Sequence, residues 1–170
     1  MDSPSKKASP EEPSTVDSAK PPGATELIYR RLFEATEPPD KLSADIPRGG
    51  ETILLVEDTD WLRELIRRGL ESRGYTVLAT AHGEEAIQLA AAHQGNIHLL
   101  VSDLVLPGIG GRRLAERIGA LKPGIKLLYI SGYTADALLR HGVLEPGTAF
   151  LQKPFSPGAL ACKIRDLLDQ

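Results

Sequence analysis

The sequence has one cysteine, few aromatic residues and no strong excess of charge. A single cysteine, Cys162, excludes an intrachain disulfide and any site built from several cysteines, and its apolar helical surroundings favour a small core residue. The net charge of −3 offers no general attraction for nucleic acid or for a membrane surface. No apolar run approaches the ~20 residues of a membrane span, and residues 1–30 lack the apolar core of a secretory signal. We therefore expect a cytoplasmic protein that binds neither nucleic acid nor membrane.

Residues 1–50 differ in composition from the rest of the chain. They hold eight of the thirteen prolines, many Ser, Glu and Lys residues and few apolar ones. Such a segment buries too little apolar surface to offset the entropy of ordering, so we expect a flexible extension, disordered over 1–23. Within 24–36, four apolar residues can share one face of a short helix: Leu27, Ile28, Leu32 and Phe33. That helix is either a transient feature of a linker or a segment that folds on docking to a partner.

From residue 51 onward, short apolar runs alternate with segments of helical periodicity. The five runs of strand length are 52–56, 76–80, 97–102, 125–130 and 148–152. A helical pattern follows each run, including a short fourth helix over 133–141 and a last helix with Ser156 as its N-cap. Strict alternation favours parallel pairing and helices on both faces of the sheet. The sequence therefore predicts one α/β domain over 51–170, a flavodoxin-like (βα)5 fold whose doubly wound five-stranded parallel sheet has the order 2-1-3-4-5.

Polar side chains stand where four of these predicted strands end. They are the acidic pair Glu57-Asp58, then Asp103, Ser131 and Lys153. In the order 2-1-3-4-5 these four strands are neighbours, so their carboxyl ends lie along one edge of the sheet. Open α/β sheets bind their ligands at this edge. Each residue alone is explained by an ordinary structural role such as capping, but their common position predicts a functional site.

Three carboxylates held close together repel one another unless positive charge lies between them. Lys153 supplies one positive charge, and a divalent cation can supply the rest. Oxygen ligands and retained waters suit Mg²⁺. We expect Asp58, Asp103 and the backbone carbonyl of Val105 to bind Mg²⁺ directly and Glu57 to act through a bound water.

The same arrangement suits phosphoryl transfer to a carboxylate. With a metal beside one oxygen of Asp103, the other oxygen can attack phosphorus and form an acyl phosphate. The transferred group needs its oxygens neutralised, which is a task of positioning and electrostatics. Mg²⁺, Lys153 and the Ser131 hydroxyl can each take one oxygen, so the site is predicted to accept a phosphoryl group on Asp103.

These residues resemble the response-regulator receiver domain of two-component signalling, over the segment from Glu51 to the C-terminus. Four motifs in order carry the resemblance: ILLVED (53–58), SDLVLPG (102–108), ISGYT (130–134) and LQKPF (151–155). The segment is most similar to receivers attached to hybrid histidine kinases. It departs from the common pattern in having serine, at Ser131, where threonine is more frequent.

The resemblance implies how the site is used. A phosphohistidine on a histidine kinase or on a phosphotransfer protein phosphorylates Asp103, and the chain has no enzymatic activity beyond autodephosphorylation. The bond between Lys153 and Pro154 is cis. Ser131 moves toward the phosphoryl group, the switch residue Phe150 turns inward, and the face formed by the domain's fourth helix, fifth strand and fifth helix changes. Since no output domain follows the last helix, we expect a single-domain switch or phosphate shuttle whose downstream partner binds that face.

Two other functions stay open at this point. A receiver fold that no longer uses phosphate would be a constitutive protein-interaction module, and loss of a site residue would mark it. Asp58, Asp103, Ser131 and Lys153 are all present. A flavodoxin-like domain that binds a small molecule would need a phosphate-cradling loop, and the GIGG segment (108–111) lacks the later glycine of a dinucleotide fingerprint.

Overall fold

The computed structural model describes residues 23–34 and 47–170. The six helices in these ranges are α1 (Ala24–Glu34), α2 (Asp60–Glu71), α3 (Gly83–Ala92), α4 (Gly111–Leu121), α5 (Ala135–Arg140) and α6 (Pro157–Leu168). The five strands are β1 (Thr52–Val56), β2 (Thr76–Thr80), β3 (Leu99–Asp103), β4 (Lys126–Ser131) and β5 (Phe150–Gln152). None of these helices is long and apolar enough to cross the hydrocarbon core of a bilayer. The disorder predicted for 1–23 lies, except for Gly23, outside the described residues.

The strands form one sheet in the order β2-β1-β3-β4-β5, with every pairing parallel. This confirms the predicted architecture. The register pairs Leu54 of β1 with Leu100 of β3, and Leu100 in turn with Leu127 of β4. Every residue of β3 is buried, as expected for a central parallel strand covered on both faces.

Two apolar layers, one on each face of the sheet, hold the fold together. Successive strand residues point to opposite faces, so Ile53 and Leu55 join one layer while Leu54 and Val56 join the other. The first layer packs against α1, α2 and α6, and the second against α3 and α4. The helices thus lie on both faces, and the carboxyl edge between them stays available for polar residues.

Three strand boundaries differ from the predicted ones because side chains and turns take the terminal hydrogen bonds. β3 begins at Leu99, not residue 97, since the Thr52 N–H binds Nδ1 of His98 (3.0 Å) instead of a backbone carbonyl. β4 begins one residue late, since the Ile125 N–H bonds the Lys122 carbonyl in a turn. β5 is shorter than the predicted 148–152, because the Thr148 N–H likewise binds a turn carbonyl.

The fourth helix of the domain, α5, is also shorter than the predicted 133–141. Thr134 is its N-cap, and the hydroxyl oxygen accepts a hydrogen bond from the Ala137 N–H (3.3 Å). The helix therefore begins at Ala135. Gly142, with φ +65°, follows its C-cap. In α6 the predicted cap is confirmed, because the Ser156 hydroxyl accepts from the Ala159 N–H (3.1 Å).

The helix considered within 24–36 is present as α1, and it packs on this chain's own α2. Its buried residues are Tyr29 and Phe33, which lie one turn apart. Leu27 and Ile28, assigned to the apolar face from the sequence, are 49% and 50% exposed. The buried face contains Tyr29 instead. Its ring makes a T-shaped contact with the ring of Phe155, and the two ring centroids lie 5.6 Å apart.

Cys162 was expected in the core, and that expectation is wrong. The thiol-bearing residue is exposed on α6. The helix buries a single stripe of side chains, in which Leu160, Ala161 and Ile164 face the sheet. One step along a helix of 3.6 residues per turn rotates the side chain by about 100°, which takes residue 162 away from that stripe.

A salt bridge fastens the C-terminal helix to the segment before β1. Nη2 of Arg165 lies 2.7 Å from Oε1 of Glu51, and both side chains are mostly buried. This hydrogen bond lowers the pKa of Glu51 below its ordinary value of 4.5. The stabilisation is therefore present above that ordinary value and is lost as the pH falls through the lowered one.

We expect Glu51→Gln to lower the free energy of unfolding by about 0.5–1 kcal/mol at pH 7. The difference from wild type should shrink below a pH of about 4.5, the ordinary value of the carboxyl. Denaturant unfolding across a pH series measures it, with Glu145→Gln, whose side chain is 72% exposed, as the control. A difference that is the same at pH 7 and at pH 3 would contradict this account of the pair.

Candidate functional site

The carboxyl edge of the sheet collects the polar residues identified in the sequence. Asp103 is the last residue of β3 and Ser131 the last of β4, while Glu57 directly follows β1 and Lys153 directly follows β5. Since β1, β3, β4 and β5 are consecutive in the sheet, these four side chains occupy adjacent positions along one edge.

Lys153 lies between two buried carboxylates. Its Nζ is 2.6 Å from Oε2 of Glu57 and 2.7 Å from Oδ2 of Asp103. The Lys153 side chain is 15% exposed. Among the described residues it is the cation that forms salt bridges with these two acids. One ammonium therefore fixes the relative position of β1, β3 and β5 at the site.

Burial and charge act in opposite directions on this cluster. Burial raises the pKa of Glu57 above its ordinary value, although the charge and hydrogen bond of Lys153 act to lower it. Burial acts to lower the pKa of Lys153, but the charges and hydrogen bonds of Glu57 and Asp103 outweigh it and raise that pKa above its ordinary value. Lys153 is accordingly an ammonium at neutral pH.

Both oxygens of Glu57 are engaged, while Asp103 reaches the surface. Oε1 of Glu57 accepts from the Thr59 N–H (3.1 Å) and Oε2 accepts from Lys153. Oδ1 of Asp103 accepts from the Val105 N–H (2.9 Å), and the residue keeps 8% exposure against none for Glu57. Asp103 is the acid of this pair that an incoming group can reach.

A third acid completes an oxygen-rich cluster. Carboxylate oxygens of Glu57, Asp58 and Asp103 lie within 4.8 Å of one another, and Asp58 is exposed. Three carboxylates with one ammonium leave an excess of negative charge. An all-oxygen donor set of this kind fits a hard divalent cation such as Mg²⁺. The backbone N–H of Val105 is occupied by Asp103, and its carbonyl as a further ligand stays a prediction.

Ser131 and Lys153 are tied together by the backbone. The Lys153 N–H donates to the Ser131 carbonyl (2.7 Å), and the Ser131 hydroxyl oxygen accepts from the Tyr133 N–H (3.2 Å). Ser131 is 1% exposed. The bond between Lys153 and Pro154 is cis, as the family resemblance implied. A hydroxyl thus stands on the β4 side of Asp103 and an ammonium on the β5 side.

The switch position Phe150 lies in a separate small cluster. It is half-buried and packs with Leu104, Tyr129, Leu138 and Leu144. Leu104 is the residue after Asp103, and its N–H donates to the carbonyl of β4 at Ile130 (3.0 Å). The cluster therefore connects the end of β3 with α5 and β5.

Two residues near the site were not identified from the sequence. A Cβ at Gly111 would clash with the carbonyl oxygen of Asp103, so a side chain there would push α4 away from the end of β3. The glycine-rich GIGG segment is the local signal for this close approach, although its pattern invites comparison with a nucleotide-binding motif first. Tyr29 of α1 is 1% exposed, and the negative charges of Glu57 and Asp103 act to raise its pKa. Nothing in the local sequence connects a tyrosine of the extension with residues so distant along the chain.

Several known proteins are similar to this chain. Sensor kinase CckA of Brucella abortus (strain 2308) is 38% identical over 122 residues, which are 72% of this chain and 13% of CckA. The response regulator receiver protein CpdR of the same strain is 31% identical over 116 residues, which are 68% of this chain and 95% of CpdR. The crystal structure of the receiver domain from hybrid histidine kinase CckA has a TM-score of 0.59 and 38% identity, covering 69% of this chain and 98% of that domain.

The share of each relative's length that this chain covers differs widely. The chain spans 13% of CckA and about half of the transcriptional regulatory protein CssR of Bacillus subtilis (strain 168), with 51% of CssR covered at 32% identity. The family profile described as the response regulator receiver domain matches residues 53–165, a span that contains the acidic cluster and the whole sheet except Thr52. The chain belongs to this family, the response regulator receiver domains of two-component signalling.

Proposed function

We propose that this receiver accepts a phosphoryl group on Asp103 from a phosphohistidine of a histidine kinase or a histidine phosphotransfer protein. The observation that carries the proposal is the 2.7 Å contact between Oδ2 of Asp103 and Nζ of Lys153 within the acidic cluster. An ionised carboxylate at the surface of the site, with a cation beside it, is a nucleophile that needs no base.

The transfer balances without any further reactant. An Asp103 oxygen forms a bond to phosphorus while the bond from phosphorus to the donor imidazole nitrogen breaks. The electron pair of the broken bond stays on that nitrogen, and the product is an acyl phosphate. Lys153 and the hydroxyl of Ser131 each stabilise one oxygen of the transferred group, a contribution of positioning and charge.

The acids are proposed to hold Mg²⁺ in distinct ways. Asp58 and Asp103, with the carbonyl of Val105, bind it directly, and Glu57 binds through a water. The engagement of both Glu57 oxygens by Thr59 and Lys153 supports the indirect role of that residue. When bound, Mg²⁺ supplies positive charge for the oxygens of the transferred group.

The output is proposed to leave through the face formed by α5, β5 and α6. Ser131 moves toward the phosphoryl group, Phe150 turns inward, and the cluster around it repacks. Because Phe150 is half-buried in that cluster, its ring can take the outward or the inward position by repacking within the same fold. A downstream protein binds this face, and the chain acts as a single-domain switch or a phosphate shuttle. CpdR, matched over 95% of its length, is a receiver protein that this chain covers almost completely.

Amide NMR with Mg²⁺ and beryllofluoride tests the proposal as a whole. Beryllofluoride on Asp103 mimics the phosphoryl group, so the largest shifts are expected at the carboxyl edge and a second set on α5, β5 and α6. Shifts confined to the edge would contradict the switch. No response from the wild type, or the same response from Asp103→Asn, would favour a phosphate-independent interaction module.

Ser131→Ala should separate phosphorylation from switching. Loss of one oxyanion partner should slow labelling of Asp103 by acetyl phosphate roughly ten- to hundredfold. The shifts on α5, β5 and α6 should also become smaller, because nothing draws the end of β4 toward the phosphoryl group. Ser131→Thr, which keeps the hydroxyl, is the control and should stay close to wild type. Equal labelling rates for the alanine and threonine variants would show that the hydroxyl takes no part in the transfer.

A further inference from the structure

An aromatic contact joins the N-terminal helix to the two loops that build the site. Tyr29 of α1 lies 5.5 Å from Trp61 and 5.6 Å from Phe155, measured between ring centroids. Trp61 stands in the first turn of α2, three residues after Asp58. Phe155 stands two residues after Lys153, in the loop 153–156 between β5 and α6. One side chain of α1 thus touches the elements that carry an acid and the ammonium.

The Tyr29 side chain is buried near the charged residues Glu57 and Asp103. Its hydroxyl lies near the Phe155 backbone but makes no regular hydrogen bond with any residue in the described ranges. Burial raises the pKa of Tyr29 well above its ordinary value, and the charges of Glu57 and Asp103 act in the same direction. A buried hydroxyl without a good partner is unfavourable, so the Tyr29 side chain is held by ring packing and not by a hydrogen bond of its hydroxyl.

We propose that α1 is an intramolecular strap that holds the loop 153–156 in its unphosphorylated position through Tyr29, so that phosphorylation of Asp103 and release of α1 favour one another. The inference rests on the proposed function above. In the unphosphorylated site the Lys153 ammonium is shared by two carboxylates. A phosphoryl group on Asp103 offers the ammonium new oxygens. A shift of Lys153 toward them also moves Phe155, which lies two residues later in the same loop.

The contact of Tyr29 with Phe155 does not deform gradually. Phe155 is 4% exposed and packs edge-on against the Tyr29 ring, and close-packed side chains change between discrete arrangements. Tyr29 and Phe33 are the buried residues of α1, and Leu32 packs partly buried against the same apolar layer. A helix of 11 residues is marginal alone. Release of the strap is therefore an accessible event, and linkage makes the coupling reciprocal.

The rate of Asp103 labelling by acetyl phosphate with Mg²⁺, measured on the full chain, tests the strap. Tyr29→Ala should label faster than wild type, by on the order of fivefold, an ordinary size for coupling between sites. Ile28→Ala, on the same helix but 50% exposed, is the matched control and should label at the wild-type rate.

Phe33→Ala is a second variant, which loosens α1 at its contact with α2. The Phe33 ring packs against α2 near Gly69, so this variant should also label faster. Trp61 is the single tryptophan, and its fluorescence reports the contact directly. Phosphorylation of the wild type should move its emission toward that of unphosphorylated Tyr29→Ala.

The outcomes separate the strap from the function on which it rests. Faster labelling of both variants, with the emission shift, supports the strap. Labelling of wild type, Tyr29→Ala and Phe33→Ala at one rate overturns it, as does slower labelling of the variants, and leaves the phosphoacceptor role intact. Absence of label in every protein overturns the proposed function itself.

Discussion

Asp103→Asn should abolish covalent phosphorylation by acetyl phosphate in the presence of Mg²⁺. An amide offers no ionised oxygen for attack on phosphorus, and neither of the other two acids of the site can replace it. Glu57 is fully buried, with both oxygens engaged. Asp58 is exposed, but among the described residues the salt bridges of Lys153 go to Glu57 and Asp103 and not to Asp58. The expected effect is complete loss, measured as incorporation of label over time.

A matched control shows whether the loss belongs to this carboxylate. Asp136→Asn makes the same chemical change at an exposed position in the first turn of α5 and should leave the labelling rate close to wild type. Far-ultraviolet circular dichroism should confirm that both variants are folded. Residual Mg²⁺-dependent label on Asp103→Asn would assign the phosphoacceptor to another residue.

Lys153→Met should produce the largest loss of stability among these variants. It leaves Glu57 and Asp103 facing one another without the ammonium that lies within 2.7 Å of both. Removing one partner of a buried ion pair costs about 3–5 kcal/mol, and the lower end applies here because Asp103 keeps some exposure. Denaturant unfolding at pH 7 measures the change, and Lys163→Met on α6 is the control for loss of a lysine.

The pH dependence of this variant follows from the sign of the shift. Without Lys153, the pKa of Glu57 rises beyond its already raised value. A carboxyl whose pKa is higher in the folded than in the unfolded state destabilises the fold above that pKa and ceases to do so once protonated. The deficit against wild type should therefore narrow as the pH falls from 7 toward 4.5, the ordinary value of the carboxyl. A deficit that widens over this range would contradict the account.

Mg²⁺ should partly restore Lys153→Met. A divalent cation that binds the acids replaces the missing positive charge, so the increase in unfolding free energy on adding Mg²⁺ should be larger for the variant than for wild type. Labelling by acetyl phosphate should stay slow, because the transferred group still lacks the ammonium. Equal stabilisation of both proteins by Mg²⁺ would place the metal away from this cluster.

The sheet and the gathering of polar residues at its edge could be read from the sequence for one physical reason. Parallel neighbours with helical crossovers end at the same edge whatever their loops do. The order 2-1-3-4-5 then brings the ends of β1, β3, β4 and β5 together, and Glu57, Asp103 and Lys153 are adjacent without knowledge of any loop. The Lys153 salt bridges with both acids are the detail that only the structure supplies.

The position of α1 could not be read in this way. Its apolar residues allow more than one buried face. The sequence suggested a face with Leu27, Ile28, Leu32 and Phe33, and of these four Phe33 is buried. The choice of Tyr29 and Phe33 depends on the shape of the aromatic contact with Trp61 and Phe155, which exists only once the domain is folded. The i, i+4 spacing of Tyr29 and Phe33 was the one local signal for it.

The chemical identity of the phosphorylated residue tests the central claim most directly. The full chain is incubated with acetyl phosphate and Mg²⁺, the acyl phosphate is reduced with borohydride, and peptides are sequenced by mass spectrometry. Reduction should convert the residue at position 103 to homoserine, only when both Mg²⁺ and donor are present. Conversion at another position, or conversion that does not require Mg²⁺, would contradict the account.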